Sequence, residues 1–396
     1  MILIQNAQVY GPEPLGLCEI LIEGTKIADI AIEGGGRSLQ AYAGLETVEV
    51  LDLKGKVLTP GYIDNHVHIT GGGGEGGFAT RTPEASITEL LRSGVTTAVG
   101  LLGTDTVTRS LENLLAKTRA LEAEGLSCYC LTGGYGCPPV TLCGSVERDI
   151  TLIDKMIGVK TAMSDHRSSN PSGRDLVALA VQARRAGLMA GCAGIVTIHT
   201  GGGKAMLTPL LQAVEQSDVP ITKFLPTHMG RSDALFDQGL EFIRRGGTID
   251  VTAGSTIGEQ KALAEKLLRY WRSDPSGSHL CVSSDAYGSQ PKFGAQMQLI
   301  GLTYSTPAGL HQLLRHLVLE RHVPLERALK LFTETPARVL ELPKGRIAQG
   351  LDADLLVLDD QLKLDGVIAK GSMAIWDGRQ IIKGSFEAES AEETRL

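Results

Sequence analysis

The chain has 396 residues, 42% of them hydrophobic and 21% charged, a globular composition long enough to bury roughly three quarters of the unfolded surface without disulfide or structural-metal staples. Its 38 Lys and Arg against 45 Asp and Glu give a net charge of −7, which argues against nucleic acid or an anionic membrane as the main partner. Seven cysteines with no Cys-x-x-Cys spacing do not make a disulfide framework and point to reduced thiols in the cytoplasm. Met1–Gln5 lacks the basic start of a signal peptide, and none is expected. The longest uncharged apolar stretch, Ala186–Ile198, is too short to cross a bilayer.

In chain order, residues 1 to 56 alternate as short strands at Met1–Tyr10, Cys18–Ile22, Lys26–Ile32 and Thr47–Leu53, with glycine-bearing turns between them. From 57 to 344 the rhythm changes. Short apolar runs at Val57–Ile63, Thr96–Leu102, Ser127–Leu131, Gly158–Ala162, Ile195–Ile198, Ile221–Pro226, Gly247–Val251 and Leu280–Val282 alternate with amphipathic segments. Those segments include Thr88–Ser93, Thr106–Glu122, Gly173–Ala186, Thr208–Gln216, Asp233–Arg245 and Gln260–Trp271. Strands too apolar for one solvated face, alternating with helices, predict a closed parallel barrel, a (β/α)8 TIM-type fold of the α/β class. From 345 to 396 short strands return, at Asp354–Leu358, Gly366–Ile368, Ala374–Trp376 and Gln380–Ile382. The two ends are therefore expected to pair as a small β-sandwich domain, 1–56 plus 345–396, beside the catalytic barrel, 57–344. The acidic tail Glu387–Leu396 is expected to fray.

The chemistry-bearing residues fall at strand ends. His66 and His68, two apart after the first barrel run, point to one side and offer two nitrogens to a metal. His199 closes the fifth run, His228 follows the sixth and Asp285 follows the eighth. C-terminal ends of barrel strands face one mouth, and four imidazoles with a carboxylate there suit one or two first-row metals, zinc foremost. Lys160 sits inside the apolar fourth run. Burial lowers the pKa of an ammonium, and a neutral amine adds CO2 to give a carbamate whose two oxygens can bridge two metals. The remaining histidines lack such positions and are expected on the surface or in packing, with His166 alternatively a substrate contact. Gly72-x-Gly74-x-x-Gly77 formally fits a dinucleotide fingerprint, as any run of glycines would, but a metal motif precedes it and no clear helix start follows; Gly201–Gly203 is not a P-loop, because Lys204 is followed by Ala205. They are expected to let backbone approach metal or substrate.

Pro60-Gly61-Tyr62-Ile63-Asp64-Asn65-His66-Val67-His68, followed by the strand Lys, two His and Asp, resembles the binuclear amidohydrolase superfamily. Thr335-Pro336-Ala337 leading to Lys344-Gly345-Arg346-Ile347 and Asp352-Ala353-Asp354-Leu355 resembles its return into the β-sandwich. Within that superfamily the motifs Gly71–Gly77, Gly133–Gly136, Ser164–Ser168, His228–Arg231 and Ser284–Ser289 are similar to the isoaspartyl (β-aspartyl) dipeptidase family, over essentially the whole chain. The resemblance implies a carbamylated Lys160 bridging two Zn2+, with His66, His68 and Asp285 on one and His199 and His228 on the other. It implies substrate contacts from Gly73, Gly74, Glu75, Thr104, Tyr135, Arg167, Arg231 and Ser289, and a homo-oligomer. The implied reaction is hydrolysis of the amide on the β-carboxyl of aspartate in a small zwitterionic dipeptide. Glu75 suits the substrate ammonium, and Arg167 and Arg231 suit its carboxylates. Tyr135 would face the developing oxyanion, and Asp285 would move the proton.

Two other readings stay open on sequence alone. One is a cyclic amidase of the dihydroorotase or hydantoinase type, or an N-acyl amino acid deacetylase, although Thr70 stands where dihydroorotases usually carry Arg. The other is a non-catalytic amidohydrolase-like assembly protein, which would be expected to have lost ligands that this chain retains.

Overall fold

In the computed structural model, which describes residues 1–296 and 298–387, the first strands form an antiparallel meander, β1 (Ile2–Tyr10), β2 (Pro14–Glu23) and β3 (Lys26–Ile32). β4 (Glu49–Asp52) and β5 (Val57–Pro60) run parallel to β1. Alternation buries Ile4, Val9, Ile20 and Ile22 on one face, while Leu3 and Leu21 pack on the other under Leu39.

The run expected as one strand at Val57–Ile63 is two. β5 belongs to the terminal sheet, and β6 (Tyr62–Val67) begins the barrel. Gly61 makes the passage, its N–H donating to the Asp354 carbonyl at 2.8 Å, and a Cβ there would lie 2.2 Å from Thr96 Oγ1.

The barrel then alternates as expected: α1 (Ile87–Arg92), β7 (Val95–Gly100), α2 (Leu111–Ala123), β8 (Ser127–Gly133), α3 (Val146–Leu152), β9 (Met156–Met163), α4 (Gly173–Ala190) and β10 (Ile195–Thr200). It continues with α5 (Thr208–Glu215), β11 (Phe224–Thr227), α6 (Asp233–Arg244), β12 (Ile249–Thr252), α7 (Ile257–Ser273) and β13 (Leu280–Ser283). Ser86, Ser110, Ser145, Ser172, Ser232 and Thr256 cap α1, α2, α3, α4, α6 and α7, each accepting the backbone N–H three residues on. Strands β6 to β11 pair in parallel in sequence order, and β12 pairs with β13. The ring is joined by Met229 N–H to the Asp250 carbonyl at 3.1 Å and by His68 N–H to the Ala286 carbonyl at 2.9 Å. Ile63, Val99, Leu131, Ile157, Ile195, Leu225 and Cys281 plug the lower interior. Leu114, Leu176, Phe236 and Leu267 cover the strands from outside.

After β13 the chain makes a hairpin, β14 (Ser289–Phe293) and β15 (Leu299–Tyr304), and then α8 (Ala308–Arg315), α9 (Leu325–Leu329) and α10 (Glu334–Val339). Finally β16 (Leu355–Leu358) pairs with β5, followed by β17 (Leu364–Ala369), β18 (Ser372–Trp376) and β19 (Arg379–Gln380), so one nine-stranded sheet joins strands from residues 2–60 with strands from residues 355–380. Of the acidic tail only Glu387 falls within the described residues, and its carboxylate accepts from the Ser86 and Thr88 hydroxyls. No helix among the described residues is long and apolar enough to cross a membrane.

Candidate active site

Register sets which side chains face the barrel mouth. β10 lies beside β9 with Ile195 opposite Gly158, Thr197 opposite Lys160 and His199 opposite Ala162. On its other side, Leu225 of β11 stands opposite Thr197 and Thr227 opposite His199. Partners in a parallel ladder share a face, and Ile195 and Leu225 belong to the interior plug, so Lys160 and His199 point inward above it. His228 and Asp285, just past β11 and β13, have φ of 62° and 54°; the left-handed backbone there turns each side chain out of its strand direction at a strain cost the surrounding barrel sustains.

These groups converge. Lys160 Nζ lies 3.1 Å from His66 Nε2, and Asp285 Oδ1 lies 3.5 Å from His66 Nε2 and 3.2 Å from His68 Nε2. The rings of His66 and His228 are 4.9 Å apart, and those of His199 and His228 are 4.6 Å apart. Burial holds the imidazoles of His66 and His228 well below their ordinary pKa, and pushes His199 down to about 3. Burial also brings the Lys160 amine down to about 7.

Two carboxyls beneath the cluster, Asp64 and Asp250, are pushed up to about 7 by burial against the opposing pull of their hydrogen bonds. Asp64 accepts from Ser284 N–H at 3.1 Å, and Asp250 from Ser283 Oγ at 2.7 Å and from the Thr227 hydroxyl. They tie the ends of β6, β11, β12 and β13 together below the mouth.

Above the cluster opens a cavity of about 770 Å3. It is lined by His68, Gly73, Glu75, Thr104, Tyr135, Arg167, His199, His228, Arg231, Asp285 and Ser289, so nearly all the expected site residues share one chamber. Gly74 does not line the chamber; it carries the same loop, its N–H held by the Thr80 carbonyl at 3.3 Å. His66 and Lys160 sit buried beneath its floor. His166, the open case of the sequence, lines the chamber too.

Glu75 Oε1 accepts from Arg167 Nη1 at 3.1 Å and from Thr104 Oγ1 at 3.4 Å, while Glu75 Oε2 and Ser289 Oγ are shielded from solvent with no partner among the described residues. Tyr135 OH lies 2.7 Å from His199 Nδ1, its ring under the Arg167 guanidinium. Burial drives the Tyr135 pKa upward, which keeps the phenol a hydrogen-bond donor.

Two chamber residues that hydrogen-bond the histidines were not picked out from sequence. Asp165 accepts from Arg167 Nε and Nη2 and from His199 Nε2; burial opposes its charge, but these hydrogen bonds prevail and hold its carboxyl far below the usual range. Thr252 Oγ1 lies 2.7 Å from His228 Nδ1. The SDHRS segment at 164–168 did stand out, but nothing local distinguishes Asp165 from a solvated loop acid.

The donors suit a divalent metal. His66, His228 and Asp285 each offer one ligand atom within 4.8 Å of the others, and Nδ1 of His66 and of His68 is buried without a partner among the described residues. Neutral imidazoles and a carboxylate at the C-terminal mouth of eight parallel strands define a barrel hydrolase, and the family model described as "Amidohydrolase family" matches residues 278–384.

The β-aspartyl dipeptidase of Fervidobacterium islandicum AW-1, solved in complex with β-Asp-Leu dipeptide, is 43% identical, with a TM-score of 0.90 over 96% of this chain and 97% of that one. A second structure of the enzyme from that organism is 42% identical, with a TM-score of 0.85 over 96% and 98%. The chain belongs to the β-aspartyl dipeptidase family of amidohydrolases. Among curated relatives, an imidazolonepropionase of Methylobacterium sp. (strain 4-46) is 30% identical over 163 residues, a match spanning 37% of this chain and 39% of that protein.

Proposed function

We propose that the protein hydrolyses the isoaspartyl (β-aspartyl) amide bond of dipeptides, releasing aspartate and an amino acid, as a binuclear zinc enzyme. The observation that carries this reading is the Glu75–Arg167 pair at 3.1 Å on the chamber wall, with Glu75 Oε2 still unpartnered. An isoaspartyl residue keeps its ammonium and α-carboxylate on one carbon, so adjacent anionic and cationic groups on the protein are its complement. An ordinary α-aspartyl dipeptide has its α-carboxyl in the amide and offers only half of that match. Arg231, on the same chamber, takes the carboxylate of the second residue, and Ser289, Thr104 and Gly73 complete the contacts, with Gly74 carrying their loop.

His66, His68 and Asp285 would hold one metal and His199 with His228 the other, and Lys160, carbamylated by CO2, would join them. Such ions supply an acidified water and polarise a carbonyl. Asp285 accepts the proton of the attacking water and delivers it to the leaving amine. Tyr135 donates to the oxygen on which charge develops. Glu75 and Arg167 fix the aspartyl end so that the β-carbonyl is presented to Asp285. The proposed domains are a small β-sandwich, 1–56 plus 345–396, beside the barrel 57–344; the pairing of β16 with β5 supports a unit built from both parts of the chain, and carries its strand pairing to Pro60. The enzyme is a cytoplasmic homo-oligomer.

The test is metal analysis of the purified protein together with hydrolysis of β-Asp-Leu, α-Asp-Leu and a hydantoin. Two metals per chain and cleavage of β-Asp-Leu alone are expected; cleavage of the hydantoin but not β-Asp-Leu would overturn the reading.

A further inference from the structure

The side chain of Asp165 touches both halves of the chamber. Its Oδ1 accepts from Arg167 Nε at 3.0 Å and from the Arg167 backbone N–H at 2.8 Å. Its Oδ2 accepts from Arg167 Nη2 at 2.9 Å and from His199 Nε2 at 3.0 Å. The carboxylate is buried, so these contacts are not traded against water.

The consequence for each partner follows from donor and acceptor arithmetic. An ionised carboxylate only accepts, so His199 must carry its proton on Nε2, which leaves the lone pair on Nδ1. The Tyr135 hydroxyl lies nearer that nitrogen, at 2.7 Å against 3.2 Å from Nε2. Arg167, with Nε and one Nη2 hydrogen taken, keeps its outer Nη1–Nη2 edge, and Nη1 is the atom on Glu75. Asp165 thus selects the nitrogen that His199 offers to a metal and the edge that Arg167 offers to a substrate.

We infer that Asp165 is a positioning residue coupling metal affinity at His199 to carboxylate recognition at Arg167. This rests on the proposed dipeptidase reading for the roles of those two partners. Carboxylates behind a ligating histidine raise its basicity and fix its ring, and their loss typically costs about 10- to 100-fold in metal affinity. A bidentate partner of an arginine fixes the plane of the guanidinium. One side chain doing both predicts a double loss from a single change.

The experiment compares the parent with Asp165→Asn and Arg167→Gln. Zinc affinity is measured by competition with a chromophoric chelator, and KM and kcat for β-Asp-Leu are measured at saturating zinc. Asp165→Asn is expected to weaken zinc binding about 10- to 100-fold, and to raise KM even when zinc is restored. Arg167→Gln is expected to raise KM and leave zinc affinity within about twofold, which a merely structural role for the segment would not separate.

Asp165→Glu keeps the charge for folding, but a carboxylate one methylene longer cannot face both partners, so it recovers at most one of the two losses. Asp165→Asn with parental zinc affinity, with parental KM, or recovery of both by Asp165→Glu overturns the coupling. A parent that binds zinc but leaves β-Asp-Leu intact overturns the dipeptidase reading instead, and the zinc arm still reports on Asp165 and His199.

Discussion

Lys160 Nζ stands 3.1 Å from His66 Nε2, a buried amine against a buried imidazole with no carboxylate in hydrogen-bond reach of the amine among the described residues. Two nitrogen bases face to face in that position are what the proposed bridge draws on, in which carbon dioxide would convert the amine to an anion between cations. Lys160→Ala is expected to purify with less than one metal per chain and to lose nearly all hydrolysis of β-Asp-Leu. A small carboxylic acid such as formate or acetate, filling the vacated space, restores part of both. Unchanged metal content in the variant would refute the bridging role.

Asp285 sits at φ 54°, a conformation Asn tolerates as well as Asp. Asp285→Asn is therefore expected to fold and to retain metal, because the imidazoles still provide ligands. It loses the group proposed to accept and return the proton, and kcat should fall by about 10²- to 10⁴-fold. Metal content and kcat measured on the same preparation check this, and an active, fully metallated variant would remove Asp285 from the proton path.

A Cβ on Gly288 would lie 2.6 Å from Asp285 Oδ1 and 2.9 Å from His68 Cδ2. The absence of a side chain there is what lets the turn after β13 close over the cluster. Gly288→Ala must push the carboxylate or the ring aside, and displacement on the order of 1 Å in such a site costs about 10²-fold in rate. The expected signature is a large fall in kcat/KM with a small change in melting temperature; parental kcat/KM would show that the turn relaxes without moving the ligands.

Much of this was legible in the sequence, and the exceptions share a cause. Apolar runs located the barrel strands, because a strand covered on both faces must be apolar, and His66, His199, His228 and Asp285 announced themselves by falling where those runs end. Asp165, Asp64 and Asp250 did not. Each is given meaning by partners distant in the chain: His199 lies 34 residues from Asp165, Ser284 lies 220 from Asp64, and Ser283 lies 33 from Asp250. The hairpin β14–β15 was missed although Ile300, Leu302 and Tyr304 alternate along β15: that face is exposed rather than packed on the core, and β14 carries Pro291 in its middle. The split of Val57–Ile63 hinges on backbone pairing of Gly61 with Asp354, which periodicity cannot show.

His311, far from the chamber, receives the Tyr62 hydroxyl contact at 2.8 Å and is held down to about 4 by burial. Its unfolded value is about 6.5, so between pH about 6.5 and about 4 the unfolded chain binds a proton that the folded chain refuses. Stability is expected to fall as pH drops through that window and to level off below it, with this residue contributing on the order of 3 kcal/mol of the loss. His311→Gln, which keeps a hydrogen-bonding group beside Tyr62 but cannot titrate, should flatten that limb in denaturant titrations at successive pH. A slope equal to the parent's would assign the acid sensitivity elsewhere.

Glu75 carries the sharpest test of substrate recognition, because its two oxygens do different things. Oε1 is engaged by Arg167 and Thr104, while Oε2 is shielded and unpartnered among the described residues. An ammonium arriving at Oε2 gains a charge-assisted hydrogen bond with no partner to displace. Glu75→Gln leaves the loop geometry and the contact to Thr104 but removes the charge, at a cost for a hydrogen bond to a charged group of about 1.5–3 kcal/mol, or roughly 10- to 150-fold in kcat/KM for β-Asp-Leu. An N-acetylated substrate, which has no ammonium, provides the control. It should be a poor substrate for the parent and should lose little further in the variant, because the interaction is already absent. If Glu75→Gln penalises both substrates equally, Glu75 serves the loop and not the ammonium.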